Sequence, residues 1–476
     1  MRRTTIIATI GPASCDGGVL EKLIRAGVDV CRLNFSHGDY RWHARVMRRV
    51  RQVSRKLDRH VAVMQDLSGP KIRVGEIEGG GVFLEKGSRV TLTTRRVTGA
   101  RGVIPTTYGA LPRDVKKNGK VLLDDGQIVL KALSTKADSV ECSVLQGGYL
   151  KPHKGINLPG GRISAGALTR KDMEDLRFGL ERGVDIVAIS FVRSAGDVER
   201  VREEVRKAGA DALVVAKIER PEGVRELKSI LEVADGIMIA RGDLGVEMAP
   251  EKVPVLQKHM IETANGRGRV VITATQMLES MVNSPRPTRA EASDVANAVF
   301  DGTDAVMLSG ETAEGKYPVE AVEMMSRILR EAEVKALRGG MLEAPSEYLR
   351  GAAGFSGAVA EAACRLACDA GAKAIVTFSQ SGTTSMLASK YRPPCLLVGA
   401  TLHENVARRM SLFWGVRAVV FKKILSTESL VAGVEEMLLK RGIAARGDVV
   451  IITSGVPIGV SGTTNMLKVH RMGERD

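Results

Sequence analysis

Short β-branched runs recur along the chain, and each ends in polar or glycine-rich residues. Eight stand out: "TTIIATIGP" from Thr4, "VDVCRLNFSHG" from Val28, "VAVMQDLSGP" from Val61, "VDIVAISFV" from Val184, "ALVVAKIE" from Ala212, "DGIMIARGDLG" from Asp235, "RVVITATQ" from Arg269 and "DAVMLSGE" from Asp304. Helix-like segments such as 17–26, 197–208 and 253–265 separate most of them. Strands this continuously apolar are covered on both faces, and strand–helix alternation eight times over predicts an α/β protein built on a (β/α)₈ barrel of the TIM type. In that architecture, polar residues at the C-terminal ends of the strands form the active site.

One insertion breaks the series. From residue 70 to 162 the pattern changes to alternation, in "KIRVGEI", "SRVTLTT", "KVLLDDGQIVLKAL" and "SVECSVL", punctuated by Asp-Gly and Gly-Gly turns. This predicts a small β-barrel-like domain standing over the strand ends as a lid. The barrel then occupies residues 1–69 and 163–337. A looser stretch, "RGGMLEAPSEYLRGAAGFSG", reads as a linker over 338–355. Beyond it, over 356–476, "AKAIVTFS", "PCLLVGA", "RAVVFK" and "DVVIIT" predict a small open α/β domain.

The strand ends carry one inventory. The second strand delivers Arg32, Asn34, Ser36 and His37, the third Asp66, and the fifth Lys217 and Glu219. The sixth adds Gly242 and Asp243, the seventh Thr275, and the eighth Ser309 and Glu311. Single carboxylates or a single histidine are usually structural, but a ring of cations and carboxylates on one rim points to chemistry. Two carboxylates near a lysine, Glu219 and Asp243 beside Lys217, suit a Mg²⁺ bridged by phosphate and substrate oxygens. Arg32 and Lys217 supply positive charge for a phosphoryl group in transfer. "RGDLG" at 241–245 opens a helix whose free N–H groups suit a carboxylate, although a plain helix cap gives the same pattern. Neither a Walker A motif nor a GxGxxG after a strand is present.

Composition narrows the rest. The 476 residues are 44% hydrophobic and 26% charged, as in ordinary globular proteins, and only 4% aromatic, which is low for a protein that stacks bases. The net charge of +15 suits polyanionic partners, although runs such as "RWHARVMRRVRQVSRK" predict that much of it lies on solvated helices. Six cysteines without a CxxC pair suggest neither zinc nor a disulfide framework and place the chain in a reducing compartment, with Cys364 and Cys368 as buried core thiols on one helix face. No apolar run approaches the ~18 residues of a membrane span. "MRRTTIIATIGP" reads as a first strand, not a signal peptide, so a cytoplasmic location is expected.

Several motifs resemble the pyruvate kinase family: "RLNFSHG" at 32, "AKIE" at 216, "ARGDLG" at 240, "ATQMLESM" at 274 and "PTRAEASDVANAVFDGTDAVMLSGETAEGKYP" from Pro287. The resemblance covers the barrel and lid strongly and the C-terminal domain more loosely. It implies transfer of the phosphoenolpyruvate phosphoryl group to ADP, giving pyruvate and ATP. It places Mg²⁺ (or Mn²⁺) on Glu219 and Asp243. The transferred phosphoryl then meets Lys217 and Arg32, and the substrate carboxylate meets Gly242, Asp243 and Thr275. Arg32, Asn34, His37, Arg73 and Lys154 face the nucleotide. Thr275, Ser309 and Glu311 lie where the enolate is protonated, with the immediate donor left open between these groups and a bound water.

Many members of the family hold K⁺ at the positions of Asn34, Ser36, Asp66 and Leu67, and those usually carry glutamate where this chain has Lys71. The resemblance is to the other branch, in which the ammonium supplies that single charge, so K⁺ independence is expected. Ser68 departs from the glutamine frequent in that branch. In the C-terminal domain, "SQSGTTSM" matches the family's effector loop, with Ser379, Ser381, Gly382, Thr383 and Thr384 facing a phosphorylated effector and "SGVPIGVSGTTN" from Ser454 lining the same pocket. Thr383 stands where a basic residue is frequent. A homotetramer is expected, without membrane or nucleic-acid partners. The competing readings are a Mg²⁺-dependent aldolase or mutase acting on related substrates, and a non-catalytic sensor or RNA-binding protein.

Overall fold

The computed structural model describes residues 2–100, 102–161, 164, 166–339, 354–458 and 464–474. All eight apolar runs are parallel strands of one closed barrel: Thr5–Thr9, Val30–Asn34, Ala62–Asp66, Ile186–Ile189, Leu213–Ile218, Gly236–Ala240, Val270–Ala274 and Ala305–Leu308. They are buried on both faces because one set of side chains, including Ile7, Val30, Ile186 and Ile272, fills the barrel interior. The alternate set, including Ile6, Leu33 and Val187, packs under the helices. Those helices begin where side chains satisfy their free N–H groups. Asp16 accepts from Gly18 before helix Gly17–Ala26, and Asp39 accepts from Trp42 before helix Tyr40–Lys56. The second of these holds the basic run: Val46, Met47, Val50 and Val53 face the core while Arg41, Arg45, Arg48 and Arg55 are exposed.

The end of the barrel opposite the strand termini repeats one device four times. Asp29, Asp185, Asp235 and Asp304 precede the second, fourth, sixth and eighth strands. Their carboxylates accept the N–H of Ile6 (3.0 Å), Val63 (2.8 Å), Val214 (2.8 Å) and Val271 (2.8 Å) on the preceding strand. Each aspartate N–H also donates to the carbonyl of that same partner. The "VDV", "VDI", "ADGI" and "TDAV" sequences are therefore four register pins, one for each (βα)₂ quarter. Arg2 and Arg59 balance Asp29, Arg202 balances Asp235, and Arg51 pairs with Asp185. The C-terminal domain adds Arg408 to Asp185, and Lys390 and Arg392 to Asp304.

The inserted segment forms a curled six-stranded sheet in the order Ile156–Asn157, Lys120–Leu123, Ile128–Thr135, Ser139–Gln146, Arg89–Thr93, Val103–Pro105, with a two-stranded ribbon beside it. It has its own core, built on residues such as Leu92, Leu123 and Leu130. The C-terminal sheet has five strands: the four read from the sequence and an antiparallel edge strand, Thr464–Arg471. That edge strand was not anticipated, because only Thr464 and His470 within it are buried and "TNMLKVHR" shows no clean alternation. Cys364 is buried but Cys368 is exposed, so the two are not a pair of core thiols: Cys368 lies near the end of helix Gly354–Asp369, outside the packed stripe Ala360, Ala363, Cys364 and Ala367. Most of the expected linker, residues 340–353, lies outside the described residues, as do residues 459–463 of the "SGVPIGVSGTTN" segment. Among the described residues no helix is long and apolar enough to cross a membrane.

Candidate active site

At the C-terminal ends of the strands, Arg32, Asn34, Ser36, Asp66, Lys71, Lys217, Glu219, Asp243, Thr275 and Ser309 line one cavity of about 80 Å³. Its floor is apolar, formed by Met238, Ala274 and Met307. Three carboxylates face three cations there.

Asp66 organises the cations. Its Oδ2 accepts from Arg32 Nε and Nη2, both at 2.7 Å, and its Oδ1 lies 3.2 Å from Lys217 Nζ. Arg32 also donates to Thr9 Oγ1 at 2.8 Å. Lys217 is shared further, 2.9 Å from Glu219 Oε1 and 2.7 Å from Ser190 Oγ. Burial works against the Asp66 charge, but Lys217 and Arg32 outweigh it and hold the carboxyl below its ordinary range. Burial likewise opposes the Lys217 charge, yet Asp66 and Glu219 keep the ammonium above the ordinary lysine range. Glu219 is different: burial, with Asp243 nearby, pushes it up to about 7 despite Lys217.

A buried carboxylate forced upward beside a second carboxylate is short of positive charge, which is the condition a divalent cation relieves. Among the described residues no cluster of three or more His, Cys, Asp or Glu could hold a metal alone. Two carboxylates completed by substrate oxygens and water remain the fitting donor set for Mg²⁺.

The backbone is strained where the site needs it. Thr275 is β-branched yet has φ of +69°, followed by Gln276 at +53°. Its hydroxyl accepts the Gly242 N–H at 2.8 Å and donates to the Ala274 carbonyl at 2.6 Å. The helix Arg241–Glu247 is thereby fixed to the end of the seventh strand. The "DLSGP" turn after the third strand needs its glycine: Gly69 has φ of +66°, and a Cβ there would lie 2.8 Å from the Phe191 ring and 3.0 Å from Ser190 Cβ. This close approach brings Lys71 over the cavity. Lys71 is exposed, and among the described residues its ammonium has no carboxylate within salt-bridge distance.

A second cavity, of about 280 Å³, lies between lid and barrel and shares Lys71 and Asp243 with the first. Arg73 and Lys154 line it. Arg73 donates to the His153 carbonyl at 2.9 Å, and Lys154 pairs with Asp124 at 2.8 Å. His37 lines neither cavity; its pKa is lowered by burial and then by Lys71 and Arg73. Leu67 contributes its carbonyl, which accepts from Ser190 Oγ at 2.7 Å. Glu311 is buried under the rim and accepts the N–H groups of Ser309 (2.7 Å) and Leu278 (3.0 Å). It positions Ser309 and does not itself line the cavity.

Ser190, directly after the fourth strand, is the functional candidate that sequence reasoning passed over. Its signal was positional only, a serine closing "VDIVAIS" where the neighbouring third and fifth strands carry charged groups. In the C-terminal domain Ser379 Oγ accepts the Gly382 N–H at 2.9 Å, Ser381 and Thr383 hydroxyls lie 2.9 Å apart, and Thr384 meets Thr464 at 2.6 Å. The five loop residues are thus adjacent at the start of helix Thr383–Lys390.

Residues 1–322 match the family model described as "Pyruvate kinase, barrel domain", and residues 357–470 match "Pyruvate kinase, alpha/beta domain". A curated "Pyruvate kinase" of Staphylococcus aureus (strain MRSA252) is 46% identical over 480 residues, spanning 100% of this chain and 81% of that protein. The protein of strain USA300 matches with the same identity and spans. Among solved structures, the crystal structure of a pyruvate kinase from Cryptosporidium parvum superposes with a TM-score of 0.90 at 36% identity, covering 99% of this chain and 96% of that one.

Proposed function

The chain belongs to the pyruvate kinase family of phosphotransferases, and we propose that it transfers the phosphoryl group of phosphoenolpyruvate to ADP with Mg²⁺ and without need of K⁺. The aldolase or mutase reading and the sensor or RNA-binding reading give way to the family assignment.

In this reading Glu219 and Asp243 hold Mg²⁺ (or Mn²⁺), which supplies charge to the phosphoryl and enolate oxygens when bound. Arg32, braced by Asp66 and Thr9, and Lys217, braced by Asp66 and Ser190, face the phosphoryl oxygens from fixed directions. Such preorganisation lowers the barrier because the charges need not reorient during transfer. The N–H groups of Gly242 and Asp243 receive the substrate carboxylate, the Gly242 N–H turning from Thr275 Oγ1 to the substrate. Arg73 and Lys154 on the lid side, with Arg32, Asn34 and His37 on the barrel side, hold the nucleotide phosphates. The Thr275 proton, held by the Ala274 carbonyl in the free site, turns to the substrate carboxylate, so Thr275 orients the enolate end. Ser309, fixed through Glu311, holds the water or hydroxyl that protonates the enolate carbon. Loss of the phosphoryl followed by this protonation traps the ketone.

The observation that carries K⁺ independence is Lys71, a cation without a carboxylate partner among the described residues, in one cavity with Asn34, Ser36 and Asp66. The test is pyruvate formation from phosphoenolpyruvate, ADP and Mg²⁺ in K⁺-free buffer. Full activity there supports this role for Lys71, whereas activity only after K⁺ addition reduces Lys71 to a hinge lysine. We further propose a homotetramer regulated by a phosphorylated effector at Ser379–Thr384.

A further inference from the structure

The barrel interior is not closed by barrel residues alone. Val406, Met410, Leu412 and Phe413, from helix Glu404–Met410 and the turn after it, belong to the same packed cluster as the inward side chains Ile7, Val30 and Ile186. That cluster continues upward without a break to Met238, Ala274 and Met307, the floor of the catalytic cavity. A single apolar column therefore runs from the C-terminal domain to the substrate side of the barrel.

The lower end of the column meets Gly382. A Cβ built on this glycine would lie 3.3 Å from Met410 Cγ, 3.5 Å from Phe413 and 3.6 Å from Val406. Met410 has little room to yield, since a Cβ on Gly399 would approach its sulfur to 2.4 Å. Polar contacts fix the plug laterally. Arg408 reaches Asp185 at 2.8 Å and Ser411 Oγ donates to the Asp29 carbonyl at 3.2 Å. Lys390, fully buried at the end of helix Thr383–Lys390, pairs with Asp304 at 2.5 Å and donates to Asn265 at 2.9 Å. A core packed at this density transmits displacement because it has no free volume to absorb it.

We propose that Val406, Met410 and Phe413 form a plug that couples the conformation of the Gly382 turn to Met238 and Met307, making them positioning residues for the catalytic cavity. The proposal deepens the proposed function and rests on its reading of the cavity as the phosphoenolpyruvate site. A ligand that reshapes the Gly382 turn alters the cavity floor through this column, with no change to any group that touches substrate.

The test compares four variants of the full-length protein labelled with ¹³C at the methionine methyl groups, with no phosphorylated ligand present. Gly382→Ala presses on the plug and Met410→Ala hollows it. Gly371→Ala is the control for backbone strain, since Gly371 also has positive φ (+59°) but nothing within 4 Å of a Cβ. Met437→Ala is the control for cavity formation, since Met437 is buried in a different cluster of the same domain. The expected result is that Gly382→Ala and Met410→Ala shift the Met238 and Met307 methyl resonances while both controls leave them in place. KM for phosphoenolpyruvate should then change by about threefold or more in the first pair, with kcat within about twofold. Should Met410→Ala not fold, Gly382→Ala against Gly371→Ala decides alone. Methyl resonances that stay fixed in the plug variants, or move equally in the controls, overturn the coupling. Shifted resonances in the plug variants, with a wild-type protein that makes no pyruvate, would uphold the column and overturn the proposed function.

Discussion

Ser190 Oγ stands 2.7 Å from Lys217 Nζ and donates to the Leu67 carbonyl over another 2.7 Å. The serine proton is therefore committed to Leu67, which leaves a lone pair directed at the ammonium. Ser190 links the third strand's turn to the fifth strand's lysine and keeps Lys217 from collapsing fully onto Glu219 and Asp66.

Ser190→Ala removes this brace without changing net charge. Losing one hydrogen bond to a charged group corresponds to about 1.5 kcal/mol, or roughly tenfold. Steady-state kinetics should show that loss in kcat, with KM for ADP little changed. An equal loss confined to KM for ADP would place Ser190 outside the phosphoryl-transfer step.

Glu219 sets a pH dependence. Burial raises its pKa to about 7, from an ordinary value near 4.5 in the unfolded chain. Between these values the metal-free native state binds the proton more tightly than the unfolded state. This contribution is therefore present at low pH and is lost as pH rises through 7. The metal-free protein should lose more thermal stability between pH 5 and 7.5 (about the window between the two pKa values) than Glu219→Gln does. Stabilisation by Mg²⁺ should grow over the same window, because binding must displace that proton. Parallel melting curves for wild type and Glu219→Gln would show that the carboxylate is already ionised at pH 5.

The barrel and the charged rim were legible because both obey local rules. Apolar runs with polar ends mark parallel strands, and charges that end such runs fall on one face of a closed barrel. Ser190 was not legible, since a serine carries no charge and its role comes from Lys217 reaching across from another strand. Glu311 was legible as a rim residue, but not that its carboxylate turns inward to backbone N–H groups. The strand Thr464–Arg471 escaped because an edge strand half in solvent needs little apolar patterning. The four aspartate pins were in view as "VDV" and its variants, yet their common function becomes visible only when paired strands bring each carboxylate to a neighbour's N–H.

Those pins predict unequal costs. Asp304 faces Lys390 and Arg392, whose side chains are 0% and 6% exposed, so Asp304→Asn strands two buried cations. A loss of about 3–5 kcal/mol is expected. Asp235 faces Arg202, whose side chain is 37% exposed and can turn to water. Asp235→Asn retains an acceptor for the Val214 N–H and should cost only about 1 kcal/mol. Denaturant midpoints at neutral pH measure both, and equal losses would show that the N–H contacts, not the ion pairs, dominate the pins.

Lys71 offers the sharpest test of the charge balance in the cavity. With it, Arg32, Lys71 and Lys217 face Asp66, Glu219 and Asp243; without it, the carboxylates exceed the cations by one. Bound Mg²⁺ offsets the phosphate, but not the deficit that Lys71→Met leaves beside Asp66. A unit charge lost from the lining of a shared cavity, at an effective dielectric near 20, corresponds to about 4 kcal/mol at most before solvent screening. Because Lys71 is exposed, screening reduces this to about 2 kcal/mol, roughly a thirtyfold fall in kcat/KM in K⁺-free buffer. K⁺ should restore part of that loss in Lys71→Met, and more in Lys71→Glu, where a second carboxylate joins the oxygen donors of Asn34, Ser36 and Asp66. Sodium, smaller and more strongly hydrated, should restore less. The decisive comparison is the ratio of activity with and without K⁺. A ratio near one for wild type and well above one for both variants makes the ammonium the resident monovalent cation, whereas ratios that do not differ among the three proteins would remove Lys71 from the site.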